Sequence, residues 1–266
     1  MHSVAAGPLA HFRAMTTDGP SSRPAPPQAW ARACCGSLLA LLAAASAAAS
    51  AQEAAAPVVD DAAMPRIAGL IREPRLPEIS GIAASRRHAD VLWVHNDSGY
   101  PAEVHAIDVR GRHRATLRID GATGRDFEDM AAFELDGVAY LLIADTGDNG
   151  GLRSEVELVV LAEPERLEDT QVNPAWVQRL RWPDGPRDVE AVAVDAQARE
   201  VLLVSKKRTP PELFVLPLGE AATAQTARTA QRVGALQGIE PPSALELSGN
   251  PRFGRYSAQI TAAGLL

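Results

Sequence analysis

Beyond Cys34 and Cys35 the chain carries no cysteine, and aromatic residues make up only 5% of it. Both cysteines precede an apolar run at 38–49. A mature protein starting after that run therefore has no disulfide, no thiol nucleophile and no cysteine zinc site. A lipoprotein cysteine would follow the run, so lipid anchoring is unsupported. The run is also Ala-diluted and shorter than the ~20 apolar residues of a membrane span. Missing too are a G-x-S-x-G nucleophile elbow, an H-E-x-x-H metal motif, a phosphate loop ending in G-K-[ST] and a G-x-G-x-x-G turn. Basic residues are in deficit: from Gln52 onward, 23 face 32 acidic ones. That balance argues against nucleic acid and anionic membrane surfaces as partners, and in favour of cations.

What is present begins with an address. Residues 1–29 are rich in Pro, Ser and Gly; Arg32, the run Leu38–Ala49 and the triplet Ala49-Ser50-Ala51 then precede Gln52. A positive flank, a short apolar core and an A-x-A site mark a secretory signal peptide. Residues 1–51 are accordingly expected to be removed, and the mature protein to be periplasmic or secreted with no membrane span left. An uncleaved anchor is the competing reading. The charged flank starts late, which a start at Met15 or beyond would explain. Residues 52–74, with Pro57, Pro65 and Pro74, read as a flexible lead-in. Residues 75–266 are then enough for one sizeable core.

Within that domain the chain resembles itself. Glu78-Ile-Ser-Gly-Ile-Ala-Ala-Ser precedes Val91-Leu-Trp-Val-His-Asn-Asp; Glu128-Asp-Met-Ala-Ala-Phe precedes Ala139-Tyr-Leu-Leu-Ile-Ala-Asp; Glu190-Ala-Val-Ala-Val-Asp precedes Val201-Leu-Leu-Val-Ser-Lys-Lys. A third strand is expected at Glu103–Val109, Glu155–Leu161 and Glu212–Leu216. A fourth is expected at His113–Ile119, Trp176–Trp182 and Thr226–Val233. Ala115, Leu117 and Ile119 alternate with Thr116 and Arg118, the period of a half-buried strand. Turn residues such as Asp136-Gly137 fill the gaps. Four antiparallel strands repeated in series describe an all-β fold, the blades of a β-propeller. Gln237–Tyr256 reads as a loop, and Gln259–Leu266 as the first strand of a fourth unit. Three blades and one strand do not close a ring. The chain therefore reads as a truncated or frameshifted part of a longer propeller, or as one half of a ring made by two chains.

These units resemble a group of secreted bacterial propellers related to phytase-like and esterase-like proteins. The likeness is carried by Glu78-Ile-Ser-Gly-Ile-Ala with Trp93-Val-His-Asn-Asp-Ser-Gly99, and by Asp126-Phe-Glu128-Asp129 with Asp188-Val-Glu190-Ala191. It covers roughly residues 76–233 and says more about fold than reaction, since propellers host many functions.

The topology gathers polar residues at one rim, because an inner strand starts where the next strand ends. Glu78, Asp126, Glu128, Asp129, Asp188 and Glu190 stand at the inner starts. His95, Asn96, Asp97, Asp145, Asp148, Asn149, Lys206 and Lys207 stand at the second-strand ends, with Arg187 close by. Crowded carboxylates either take up protons or share a cation, and oxygen ligands suit Ca²⁺ rather than zinc. The expected metal ligands are Glu78, Asp97, Asp126, Asp129, Asp145 and Asp188. Glu190 and Glu128 are the candidate general bases, and His95, Lys206 and Lys207 the candidate substrate contacts. Each has a structural alternative. His95-Asn-Asp-Ser-Gly99 also suits a tight turn, and Asp145-Thr-Gly-Asp-Asn-Gly150 is either a calcium loop or a Gly-rich turn. Glu78, Glu128 and Glu190 could fasten neighbouring blades through backbone N–H groups, and the lysines could be a solvated rim. Two functions follow: a binding or scaffold propeller with a cation-binding face, for a small-molecule or protein ligand; or a Ca²⁺-assisted hydrolase of phosphate esters or lactones.

Overall fold

The structure, a computed structural model, describes residues 67–219, 226–252, 254 and 259–264; the signal-peptide reading lies outside these residues. The described chain is all-β with one six-residue helix. Its first sheet runs β1 (Ile79–Ala84), β2 (Val91–Asn96), β3 (Glu103–Asp108), β4 (His113–Ile119). The second runs β5 (Phe127–Leu135), β6 (Val138–Asp145), β7 (Val156–Ala162), and then passes β8 (Thr170–Val172) before β9 (Trp176–Arg181). The third runs β10 (Val189–Asp195), β11 (Glu200–Ser205), β12 (Glu212–Pro217), and passes β13 (Arg228–Thr229) before β14 (Gln231–Ala235). Within each sheet, these four principal strands pair antiparallel with their neighbours. The first strands of the three sheets lie together, β1 and β10 each against β5.

Side-chain alternation decides how the sheets stack. Leu141 and Ile143 leave one face of β6 and join Trp93, Leu117 and Phe127 in a core between the first two sheets. Leu142 and Ala144 leave the other face and join Leu203, Phe214 and Leu216 in a core between the second and third. A sheet covered on both faces needs near-continuous apolar strands, and Tyr140-Leu-Leu-Ile-Ala144 and Leu158–Leu161 are of that kind. Glu163 ties the first sheet to the second: buried after β7, it accepts from Trp93 Nε1 (2.8 Å), the Arg86 N–H (3.0 Å) and the Ser85 hydroxyl.

Four features depart from the sequence reading. First, β8 lies between β7 and β9 in the chain yet pairs parallel with β4, and β13 likewise pairs with β9. Each is the third-to-fourth-strand connection of one sheet, clasped on the outer edge of the sheet before it. This splits the strand expected at Thr226–Val233. Second, residues 259–264 form no strand; the Ala263 N–H instead donates to Asp129 Oδ2 (3.3 Å) on β5. Third, the expected loop at 237–256 contains α1 (Ala244–Gly249), entered through a capping box in which Ser243 and Glu246 bond each other's N–H groups. Fourth, the end of the lead-in is packed: Ile71 lies against a buried cluster of Leu76, Val94 and Ile107. No helix among the described residues is long and apolar enough to cross a membrane.

Candidate metal centre

Each inner strand is broken at its start by a one-residue bulge. Pairing skips from Ile79 to Gly81, from Phe127 to Asp129 and from Val189 to Ala191. The skipped residues are Ser80, Glu128 and Glu190. A bulge re-aims the unpaired side chain, so Glu128 and Glu190 are equivalents, and their partner in the first sheet is Ser80 rather than Glu78. Glu78 belongs instead with Asp126 and Asp188. It is exposed, stays outside the acidic clusters and meets the Tyr100 hydroxyl at 3.2 Å.

The bulges assemble two carboxylate triads that share one member. Asp97, Asp126 and Glu128 bring ligand oxygens within 4.8 Å of one another, and so do Glu128, Asp188 and Glu190. Glu128, Asp188 and Glu190 are each less than a tenth exposed. Gly147 makes the first triad possible. A Cβ on it would collide with Glu128 Oε1 and with the Asp126 carboxylate, so only glycine lets the backbone pass this close to both acids. The sequence signal for it was the Asp145-Thr-Gly-Asp run, whose glycine carried no assigned role.

The other expected ligands have different partners. Asp145 is buried under the rim, where it accepts from the N–H groups of Arg125 (3.0 Å) and Asp126 (3.1 Å) and pairs with Arg153 (2.8 Å). It thereby sets the approach to β5. Asp148 caps its own loop, accepting from the Leu152 (2.8 Å) and Arg153 (2.9 Å) N–H groups. Asp129 accepts from Met130 and, across to the third sheet, Val192, both at 2.8 Å. The fastening role weighed for the recurring glutamates thus falls to Asp129. His95, expected on the rim, is fully buried below it: its Nδ1–H donates to the Asn96 carbonyl (2.9 Å) and its ring packs edge-on against Phe127. Arg187 turns away to Asp184 (2.7 Å) and Glu212. Lys206 contacts Glu190 through its ammonium. Lys207 Nζ stands 2.9 Å from Asp188 Oδ2 in an ion pair without hydrogen-bond alignment, and binds the Asn149 side-chain oxygen at 2.8 Å.

Electrostatics follow from this crowding. Burial pushes Glu128 up to about 9, reinforced by Glu190, Asp126, Asp97 and Asp188. Burial also raises Asp126, with Asp97 adding to it, and raises Glu190 against the opposing pull of Lys206. Asp129 rises to about 6 through burial, held back by its backbone donors. Buried carboxylates arranged this way gain from a shared positive charge. An all-oxygen set suits a hard ion such as Ca²⁺, which takes six to eight oxygens and so leaves positions for water or a bound molecule. No protein-family model matches the chain, and no curated protein matches it.

Proposed function

We propose that this chain is an exported β-propeller protein that works as a binding or scaffold module, its acidic face holding a Ca²⁺ ion that offers its remaining coordination positions to a ligand. The carrying observation is the pair of carboxylate triads joined at buried Glu128, each with its ligand oxygens within 4.8 Å of one another. Three consecutive four-strand sheets, with their first strands side by side and apolar cores between successive sheets, support the propeller reading. A bound cation would supply the charge that lets these carboxylates stay ionised inside the protein.

Titration calorimetry of the purified protein with Ca²⁺ tests this. The expected isotherm is saturable and keeps its shape in excess Mg²⁺, which demands stricter octahedral geometry and gives up its waters reluctantly. An absence of Ca²⁺ binding, or equal displacement by Mg²⁺, overturns the assignment.

A further inference from the structure

The two triads are alike in donor chemistry but differ in what surrounds them. Lys206 lies directly after β11, and its N–H donates to the Asp188 carbonyl (2.9 Å), which fixes its backbone beside β10. From there its ammonium returns onto Glu190 Oε1, and Lys207 flanks Asp188. The Glu128–Asp188–Glu190 triad therefore already has positive charge built in. Among the described residues, no ion pair within 4.0 Å reaches Asp97, Asp126 or Glu128. Glu128 is 4% exposed, and among the described residues no hydrogen-bond donor reaches its carboxylate, although it is aimed into both triads. A buried carboxylate without a donor or counter-charge is costly, and the open side of Glu128 faces Asp97 and Asp126.

We propose that Lys206 is a tethered counter-ion standing in the place of a second metal, so that the acidic face takes one exchangeable divalent ion, at Asp97, Asp126 and Glu128. This rests on the cation-binding reading above and specifies its stoichiometry and location. A covalently tethered ammonium is always present at its carboxylate, whereas a free ion must be drawn from solution. Lys206 thus also keeps the Glu190 side of the face closed to metal when Ca²⁺ is abundant.

The test is the number of Ca²⁺ ions bound per chain by titration calorimetry, in the wild type, K206M and K206R. One ion in the wild type and in K206R, with two in K206M, supports the proposal. In the double variant K206M/E190Q the second ion should disappear again. Two ions in the wild type, or one in K206M, overturn the tethered counter-ion while leaving the cation site standing. No ion in the wild type removes the cation reading itself, and this proposal with it. Melting curves establish that each variant folds. Should K206M not fold, the wild-type count decides, one ion supporting the proposal and two overturning it.

Discussion

Saturating Ca²⁺ raises the melting temperature of the wild-type protein at pH 8 by roughly 5–10 °C, and does not raise that of E128Q. The magnitude follows from linkage: an ion at about a hundred times its dissociation constant stabilises the native state by ~2.7 kcal/mol. In a domain of this size each kcal/mol moves the midpoint by about 2–4 °C. Glu128 is the residue to change because it alone belongs to both triads. Glutamine keeps the shape and one oxygen but removes the charge. Without metal, E128Q should melt no lower than the wild type at this pH, because the substitution relieves a carboxylate crowded by Asp97, Asp126, Asp188 and Glu190. Loss of the Ca²⁺ response together with an unimpaired apo midpoint separates a ligand from a residue that merely supports the fold. Differential scanning calorimetry with and without chelator reads both quantities. E190Q added to E128Q leaves the response absent.

The second large effect is an inverted pH dependence in the metal-free protein. Glu128 moves from 4.5 up to about 9, and Asp129 from 3.8 up to about 6. Asp126 and Glu190 move the same way. A group whose pKa is higher in the folded state binds more protons there than in the unfolded chain, so the stability it contributes falls as pH rises. That contribution is complete below the unfolded pKa and is lost on passing through the folded one. For Asp129 the loss falls between about pH 4 and 6, and for Glu128 between about pH 4.5 and 9. At the acid end Glu73 acts oppositely. The hydrogen bond from Arg75 holds it at about 2, so its contribution disappears only as the medium becomes strongly acidic. Burial holds His105 down at about 4 and lowers His95 as well, so both add stability as pH rises to about 6.5 and offset the carboxylates there; the apo midpoint is therefore expected to fall from about pH 7 to pH 9. This decline should be largely absent in E128Q. Ca²⁺ should remove it in the wild type, because the ion favours the ionised carboxylates. Melting curves at pH 7, 8 and 9, in chelator and in Ca²⁺, check the sign; an apo midpoint that climbs from pH 7 to 9 contradicts the placement of these acids.

The strands could be read from the sequence because a sheet buried on both faces writes its presence in uninterrupted Leu, Val and Ile. The second strands, Val91–Asn96, Val138–Asp145 and Glu200–Ser205, were plain for that reason. So was the gathering of acids at one rim, which needs only antiparallel alternation. The parallel clasps were not legible. Thr170–Val172 and Arg228–Thr229 are two or three residues long and carry no apolar period; the first is seated beside Asp169, which accepts from the Thr116 N–H (2.8 Å), and the second by the Thr229 hydroxyl, which accepts from Arg181 Nε (3.0 Å). Bulges were equally hidden. Matching Glu78 to Glu128 and Glu190 is natural by residue type, yet the skipped pairing makes Ser80 the true equivalent. The partners of individual carboxylates also lay beyond pattern reading. Asp129 and Asp145 look like Asp126 in sequence, but their oxygens face backbone N–H groups and Arg153.

The most direct measurement is anomalous diffraction from crystals of this protein soaked in Ca²⁺. The account predicts one strong peak about 2.3–2.6 Å from carboxylate oxygens of Asp97, Asp126 and Glu128, with Lys206 still on Glu190. A peak seated on Asp129 or Asp145 instead, or no peak on the acidic face at all, would contradict it.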